Sequence, residues 1–317
     1  MIYFLFALIV SFLLSFLFSK MAPRIGLVDR PAGIKDHTNP TPYGGGIAIF
    51  VGTLTGSIWG NDWRILILGF SVFLLGFFDD IRPYSRYLKL FFQSLIAVLT
   101  IWVGIKIDIG ILPEYVNIVL SVIWIVGIIN AFNILDVMDG ISAGVGFFAA
   151  FGFVFISLSG TDAYPVIAIT LAGSCLGFLP FNLPKAKIFM GDSGALFLGY
   201  MLSVLAITTR YTETNPIAIF VPLLILFIPI FDTAYVVILR IVKKQNPLKG
   251  SHDHFVLKLK ASGLSVPSIV AIVYLATIAL CEASFIITRL TIKGAVILYS
   301  VAVLIFVFFG IIFRSRT

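Results

Sequence analysis

Three short motifs place carboxylates and amides beside apolar stretches of the chain. Asp79 and Asp80 are adjacent at the end of one stretch, and Asp192 lies just ahead of another. Between them, four polar residues recur at every third position: Asn130, Asn133, Asp136 and Asp139. Adjacent carboxylates repel one another unless a cation lies beside them, and oxygen ligands of this kind suit Mg²⁺. Alone, the pair would be more typical of an acidic helix end balanced by arginines, but the three motifs together predict a divalent-cation site.

Basic residues accompany these acids. Lys89 follows the aspartate pair, Lys187 lies shortly before Asp192, and the segment 240–265 is rich in Lys and Arg. A helix that begins with Asp192 or Ser193 as its N-cap would leave free backbone amides that suit a phosphate. A basic loop can also simply meet anionic lipid head groups. The combination predicts a site that joins two phosphorylated substrates, one soluble and one lipidic.

The composition indicates where such a site must lie. Of the 317 residues, 60% are apolar and only 12% are charged, and the mean hydropathy is +1.09. A soluble domain is about half apolar and about a quarter charged. The composition therefore excludes a soluble enzyme, a disordered chain, a coiled coil and a nucleic-acid-binding domain, despite the net charge of +7. The two cysteines, Cys175 and Cys281, lie in apolar runs, which is typical of small buried side chains.

The apolar stretches predict an all-α integral membrane protein, with 1–317 as a single polytopic domain. A spanning helix needs roughly 20 apolar residues. Eleven segments qualify, with ten as an alternative count: 2–19, 44–60, 63–78, 88–104, 115–131, 141–159, 164–180, 195–209, 216–239, 266–288 and 292–313.

The distribution of basic residues predicts the orientation. Of the 22 Lys and Arg, 17 fall in alternate loops and in the C-terminal tail. Since basic residues concentrate on the cytoplasmic side, we expect the N-terminus outside and the C-terminus in the cytoplasm. The predicted site then lies at the cytoplasmic face, in these inner loops: 20–43, 79–87, 132–140, 181–194 and 240–265.

Four longer motifs resemble one known family. They are HTxPxPxGGG at 37–46, FFDD at 77–80, NxxNxxDxxDG at 130–140 and FxxPxAKIFMGDSGxLFLG at 181–199. Together they are similar to the polyprenyl-phosphate N-acetylhexosamine-1-phosphate transferases (glycosyltransferase family 4). The resemblance implies transfer of a sugar phosphate from a UDP-sugar to a polyprenyl phosphate, with release of UMP. It also implies Mg²⁺ as cofactor, with Mn²⁺ as a substitute.

The resemblance implies a role for each matching residue. Asp79, Asp80 and Asp192 match catalytic positions, and one aspartate of the pair would activate the lipid phosphate. Asp192 and Asn133 match positions that reach the metal, and Phe189 matches an aromatic residue that stacks on uracil. The other positions that match substrate-binding ones are Lys89, Asn130, Asp136, Asp139, Lys187, His254 and His37.

Details of the motifs indicate a branch of the family. The loop at 37–46, the GDSG sequence and Pro229–Thr233 look like the WecA/TagO-type enzymes rather than the phospho-MurNAc-pentapeptide translocase. This implies UDP-N-acetylglucosamine as donor and undecaprenyl phosphate as acceptor, in the bacterial cytoplasmic membrane, with a homodimer as the expected assembly. One departure is in the basic loop, where Val256 and Leu257 stand in place of the family's paired histidines.

Other interpretations of the sequence remain open. The same chemistry with another UDP-N-acetylhexosamine, or with UDP-MurNAc-pentapeptide, is one. An inactive family member is another. A transporter is a third, although its ionisable residues would lie near the bilayer midplane. Here, of the acidic residues, only Asp232 and Glu282 fall inside predicted spans, and we expect Asp232 either to pair with Arg240 or to join the cleft.

Overall fold

The computed structural model describes residues 1–24, 26, 28–29, 41–57, 63–157, 165–212, 215–246 and 253–315. Over these ranges the chain is almost entirely helical. The α-helices are α1 Ile2–Met21, α2 Gly45–Ser57, α3 Trp63–Ile81, α4 Arg86–Trp102, α5 Glu114–Leu135, α6 Ile141–Ser157, α7 Pro165–Asn182, α8 Gly191–Thr208, α9 Val221–Ile225, α10 Phe227–Val242, α11 Phe255–Ala261, α12 Val266–Ile287 and α13 Ile292–Ser315. A 3₁₀ helix, Pro216–Phe220, leads into α9.

In the described residues, extended structure comprises one short ribbon and an isolated parallel bridge between Tyr43 and Phe189. Strand β1, Val28–Asp29, pairs antiparallel with β2, Thr41–Pro42, so that Val28 lies opposite Pro42. The predicted all-α membrane class is confirmed.

Where their residues are described, each of the eleven predicted spans is mostly helical. Within the described ranges, five helices are long and apolar enough to cross a membrane: α1, α5, α7, α8 and α12. The segment Pro216–Ile225 and α10 qualify together as a sixth span, bent by 71°. The helices α2 and α6 and the part of α13 up to Ala302 are apolar but shorter. The eleven-span count and the orientation stay predictions.

The outer surface of the bundle is apolar. On α1, Leu5, Leu13 and Phe16 are about half exposed, whereas the side chains turned inward are Ala7, Ser11 and Ser15. Between membrane helices, small residues allow close backbone approach, and large apolar ones are as stable in lipid as in protein. A protein surrounded by lipid is expected to show this arrangement, with large apolar side chains on the outside and small side chains facing inward.

Helix α8 lies at the centre of the bundle, where it packs against α2, α3 and α5. Glycines allow each of these approaches. A Cβ on Gly46 of α2 would lie 2.4 Å from the backbone nitrogen of Gly194, and one on Gly199 would lie 2.8 Å from Cα of Ile129 in α5. The start of α8, which carries Asp192, is therefore surrounded by the ends of other helices.

Candidate active site

Asp192 and Asp79 share one cation, the side chain of Lys89. Lys89 Nζ lies 2.5 Å from Asp192 Oδ2 and 2.9 Å from Asp79 Oδ2. The other oxygen of Asp79 accepts the backbone N–H of Tyr84 at 2.7 Å. Asp79 lies in the last turn of α3, Lys89 in the first turn of α4 and Asp192 in the first turn of α8, so three helices meet at this ammonium group.

Helix α5 adds amide side chains to the same layer. Asn133 Nδ2 donates to Asp192 Oδ1 at 3.0 Å. One turn earlier, Asn130 donates to Gln93 Oε1 at 2.6 Å and to the carbonyl of Val126 at 2.7 Å. Because Gln93 lies one turn after Lys89 on α4, polar faces of two helices meet beside Asp192.

Asp80 occupies the start of α8. Its Oδ1 accepts the backbone N–H of Asp192 at 2.8 Å, and its Oδ2 accepts that of Ser193 at 3.1 Å. The N-cap of α8 is Met190, whose side chain makes no capping hydrogen bond. The prediction that Asp192 or Ser193 caps this helix is therefore wrong. So is the prediction of free amides for a phosphate, because a carboxylate from α3 takes up two of them.

The loop before α8 is held by hydrogen bonds to the end of the Asn/Asp motif. Asp139 Oδ2 accepts the N–H of Ala186 at 3.0 Å, and Asn182 Oδ1 accepts that of Gly140 at 3.0 Å. The ring of half-buried Phe189 lies 6.5 Å from that of Tyr43, between centroids. Lys187 is exposed on this loop. Asp139 thus holds the loop that carries Lys187 and Phe189.

Negative charge is concentrated here. Burial, and secondarily the charge of Asp192, raises the pKa of Asp80, which lies beyond the predicted span 63–78, to about 7. Burial likewise raises the pKa of Asp136, in the loop after α5, to about 8, and the nearby charges of Asp192, Asp80 and Asp139 add to the effect. Among the described residues, Lys89 is the one cationic side chain seen in contact with these carboxylates. A second positive charge would stabilise the cluster.

The oxygen atoms at the site suit a hard cation that takes only a few of its ligands from the protein. In the described parts of the chain, no group of three or more His, Cys, Asp or Glu is arranged to hold a metal. The donor set is smaller, with Asp192 as the central carboxylate, Asp79 across Lys89 from it, and the amide of Asn133. Mg²⁺ is commonly held by one or two carboxylates together with substrate phosphates, so this set suits it.

His254 lies in a separate buried pair. Its Nδ1 lies 2.8 Å from Asp232 Oδ2, and the other oxygen of Asp232 accepts the N–H of Phe255 at 3.0 Å. Asp232 therefore fixes the start of α11, and its hydrogen bonds go to His254 and Phe255 rather than to Arg240. Val256 is fully buried on α11, which explains an apolar residue at that position. His37 lies outside the described residues.

Two residues that contact the site were missed by the sequence analysis. Gln93 is fully buried against Asn130, and the hydroxyl of Tyr274 on α12 donates to the carbonyl of Gly140 at 2.6 Å. The spacing of Gln93 from Lys89, four residues on one helix, could have revealed the first. No local pattern marks Tyr274.

Comparison with known proteins places this geometry in a family. Residues 63–210, which include Asp79, Lys89, Asn133 and Asp192, match the model of glycosyl transferase family 4. A probable undecaprenyl-phosphate N-acetylglucosaminyl 1-phosphate transferase of Bacillus subtilis (strain 168) is 33% identical over 287 residues, covering 86% of this chain and 80% of the relative. The chain belongs to glycosyl transferase family 4.

Two further relatives show the breadth of the family. An undecaprenyl-phosphate alpha-N-acetylglucosaminyl 1-phosphate transferase of Thermotoga maritima is 32% identical over 78% of this chain and 77% of its own length. A phospho-N-acetylmuramoyl-pentapeptide-transferase of Heliobacterium modesticaldum is 33% identical, over 62% of this chain and 71% of its own length. The resemblance found in the motifs is therefore confirmed, and the matches to N-acetylglucosaminyl transferases extend over more of the chain.

Proposed function

We propose that this protein transfers N-acetylglucosamine 1-phosphate from UDP-N-acetylglucosamine to undecaprenyl phosphate, yielding undecaprenyl-diphospho-N-acetylglucosamine and UMP. The observation that carries the proposal is the contact of Lys89 with both Asp79 and Asp192, at the ends of apolar helices, in a member of this family. Two relatives that each match more than three quarters of this chain are named undecaprenyl-phosphate N-acetylglucosaminyl 1-phosphate transferases. We place the reaction at the cytoplasmic face of a bacterial cell membrane, and a homodimer is the expected assembly.

The proposed reaction is a direct displacement. An oxygen of the lipid phosphate attacks the β-phosphorus of the UDP-sugar, and the bond from that phosphorus to the bridging oxygen breaks. UMP leaves with the electron pair. Since both reactants are anions, positioning and charge neutralisation supply most of the catalysis, and a protein nucleophile is unnecessary.

The residues divide this work according to their contacts. Lys89 contacts two carboxylates. Its ammonium group can therefore exchange one of them for a phosphoryl oxygen while the other still holds it in place. Asp79 then either accepts a proton from the lipid phosphate or holds Lys89 in place. A phosphomonoester has a second pKa of roughly 6, so it is mostly ionised near neutral pH and the base contributes little. We assign the binding of uracil to Phe189 and Asp139, as the resemblance implies.

Mg²⁺ is the proposed cofactor, with Mn²⁺ as a substitute. Asp192 and Asn133 would hold it, and it would neutralise charge on the diphosphate. Support comes from the excess of carboxylates over contacting cations among the described residues and from the suitability of the donor set.

A panel of substrates tests the proposal. Purified protein with Mg²⁺ and undecaprenyl phosphate is supplied with UDP-N-acetylglucosamine, other UDP-N-acetylhexosamines or UDP-MurNAc-pentapeptide, and UMP is measured. We expect release with UDP-N-acetylglucosamine and dependence on the lipid. The Heliobacterium relative makes the pentapeptide substrate the alternative. Release with that substrate alone would replace the proposed donor, and no release with any would refute the enzyme assignment.

A further inference from the structure

Asp79 and Asp80 are neighbours in the sequence but bond to different groups. Consecutive residues on an α-helix point about 100° apart, so their carboxylates reach different parts of the surroundings. Asp79 bonds to Lys89 and also interacts with the side chain of Asp192, whereas Asp80 accepts backbone amides of the first turn of α8. We propose that Asp80 is a positioning residue that fixes the start of α8, and that Asp79 alone of the pair faces the reacting groups. This inference deepens the proposed function and rests on it.

The contacts of Asp80 are those of a helix cap supplied by another helix. Its two oxygens accept the amides of Asp192 and Ser193 at 2.8 and 3.1 Å. Amides of a first helical turn have no partner within their own helix, and a carboxylate there also interacts favourably with the helix dipole. Because one bonded amide belongs to Asp192 itself, Asp80 fixes the backbone from which the Asp192 carboxylate extends.

The backbones around this junction are packed so closely that little shift is possible. A Cβ on Gly76 of α3 would lie 2.5 Å from the carbonyl oxygen of Asp192. Gly191 has a positive φ of 73°, and a Cβ there would lie 2.6 Å from Asp80 Oδ2. Two glycines thus allow α3 to meet α8 at the distance that the Asp80 hydrogen bonds require. The carboxylate and the packing define one position of Asp192.

The surroundings of Asp80 do not suit contact with a lipid phosphate. Asp80 lines a small pocket with Tyr43, Gly44, Ile47, Phe77 and Ser193. Among the lining residues that the structure describes there is no Lys, Arg or His, so within this part of the chain a phosphate beside Asp80 would meet a carboxylate without a neighbouring cation. To take a proton, Asp80 would also have to weaken a hydrogen bond to α8. Asp79 lies instead beside Lys89, which can compensate a phosphate's charge.

Amide hydrogen exchange tests the positioning role without using activity. Mass spectrometry follows peptides that cover the first turn of α8 in the full-length wild type, Asp80→Ala and Asp79→Ala. We expect the Asp192 and Ser193 amides to exchange at least about tenfold faster in Asp80→Ala, because losing a hydrogen bond to a charged group lowers local stability by that factor or more. Asp79→Ala should leave this exchange unchanged. Unchanged exchange in Asp80→Ala would overturn the proposal.

Turnover separates positioning from direct chemistry. An asparagine at position 80 can still accept one amide, so we expect Asp80→Asn to keep roughly a tenth of wild-type kcat and Asp80→Ala to lose about a hundredfold. At position 79, Asn and Ala should be equally inactive, because neither keeps the charge beside Lys89. Asp80→Asn being as inactive as Asp80→Ala, with normal exchange at α8, would assign direct chemistry to Asp80.

A substitution that alters only packing tests the contact between α3 and the start of α8 without removing any polar group. Gly76→Ala pushes a methyl group against the Asp192 carbonyl and should both accelerate exchange at α8 and lower kcat. Gly127→Ala on α5 is the matched control, since nothing lies within 4 Å of its Cβ position. Gly76→Ala behaving like Gly127→Ala would count against the proposal. If wild type releases no UMP with any donor, the proposed function fails, while the exchange measurement still decides the role of Asp80.

Discussion

Lys89 and Asp192 are joined by the shortest contact of the candidate site, 2.5 Å between Nζ and Oδ2, although 103 residues separate them in the sequence. The two groups come from α4 and α8, and neither is freely exposed to solvent. A salt bridge of this kind is held by the packing of its helices, unlike a mobile surface pair.

The first prediction concerns this lysine. Replacing Lys89 with Gln removes the ammonium group that would neutralise phosphoryl charge, so kcat/KM should fall by roughly a hundredfold. The rate of UMP release at varied substrate concentrations measures this fall in kcat/KM. Lys106→Gln is the matched control, because Lys106 pairs with Glu114 away from the site. Similar activities of the two variants would exclude Lys89 from the reaction.

The second prediction concerns the metal. Asp192→Asn should bind Mn²⁺ more weakly, as measured by electron paramagnetic resonance, and should lose about a hundredfold or more in turnover. Asp108→Asn, at an exposed position distant in sequence from the motifs, is the control. Wild-type Mn²⁺ affinity in Asp192→Asn would exclude this residue as a ligand.

The third prediction concerns the pair of Asp232 and His254. Asp232 is fully buried and accepts two hydrogen bonds, and an asparagine would place an NH₂ group against one of the donors. Asp232→Asn should therefore lose about 1–3 kcal/mol of stability, seen as a lower melting temperature in detergent. Asp253→Asn, which breaks a partly exposed pair with Lys243, should change it little. Equal melting temperatures for the two variants would contradict the buried-pair account.

The fourth prediction concerns orientation. Single cysteines are introduced at Lys106 and Lys187 in a background lacking Cys175 and Cys281. An impermeant maleimide added to intact cells should label position 106 and should label position 187 only after permeabilisation, because the basic residues predict a cytoplasmic 181–194 loop. Rapid labelling of position 187 in intact cells would reverse the orientation.

The fifth prediction concerns the order of steps. With labelled UDP-N-acetylglucosamine and no lipid, the enzyme should release no UMP and retain no label, as direct displacement requires. A two-step mechanism would release one UMP per enzyme and leave the sugar phosphate on an aspartate.

The sequence predicted the helices and the grouping of Asp79, Lys89, Asn133 and Asp192, because apolar length, polar spacing and the motifs are local signals. It could not predict which carboxylate meets which amide. The pairing of Asp80 with the start of α8 and that of Asp232 with His254 depend on how helices pack, and no periodicity encodes a partner on another helix. The short ribbon of β1 and β2 was likewise absent from the expectations, since two-residue strands leave no pattern.

The position of α8 has a consequence for biosynthesis. Asp80 is synthesised 112 residues before the amide of Asp192 that it binds. A nascent chain that has not reached Gly191 therefore carries Asp80 beside apolar helices without its α8 partners, and an unpaired carboxylate near hydrocarbon is costly. The insertion of α8 completes the site in one step, so substitutions that delay its docking should lower the yield of folded protein before they alter the chemistry of the protein that remains.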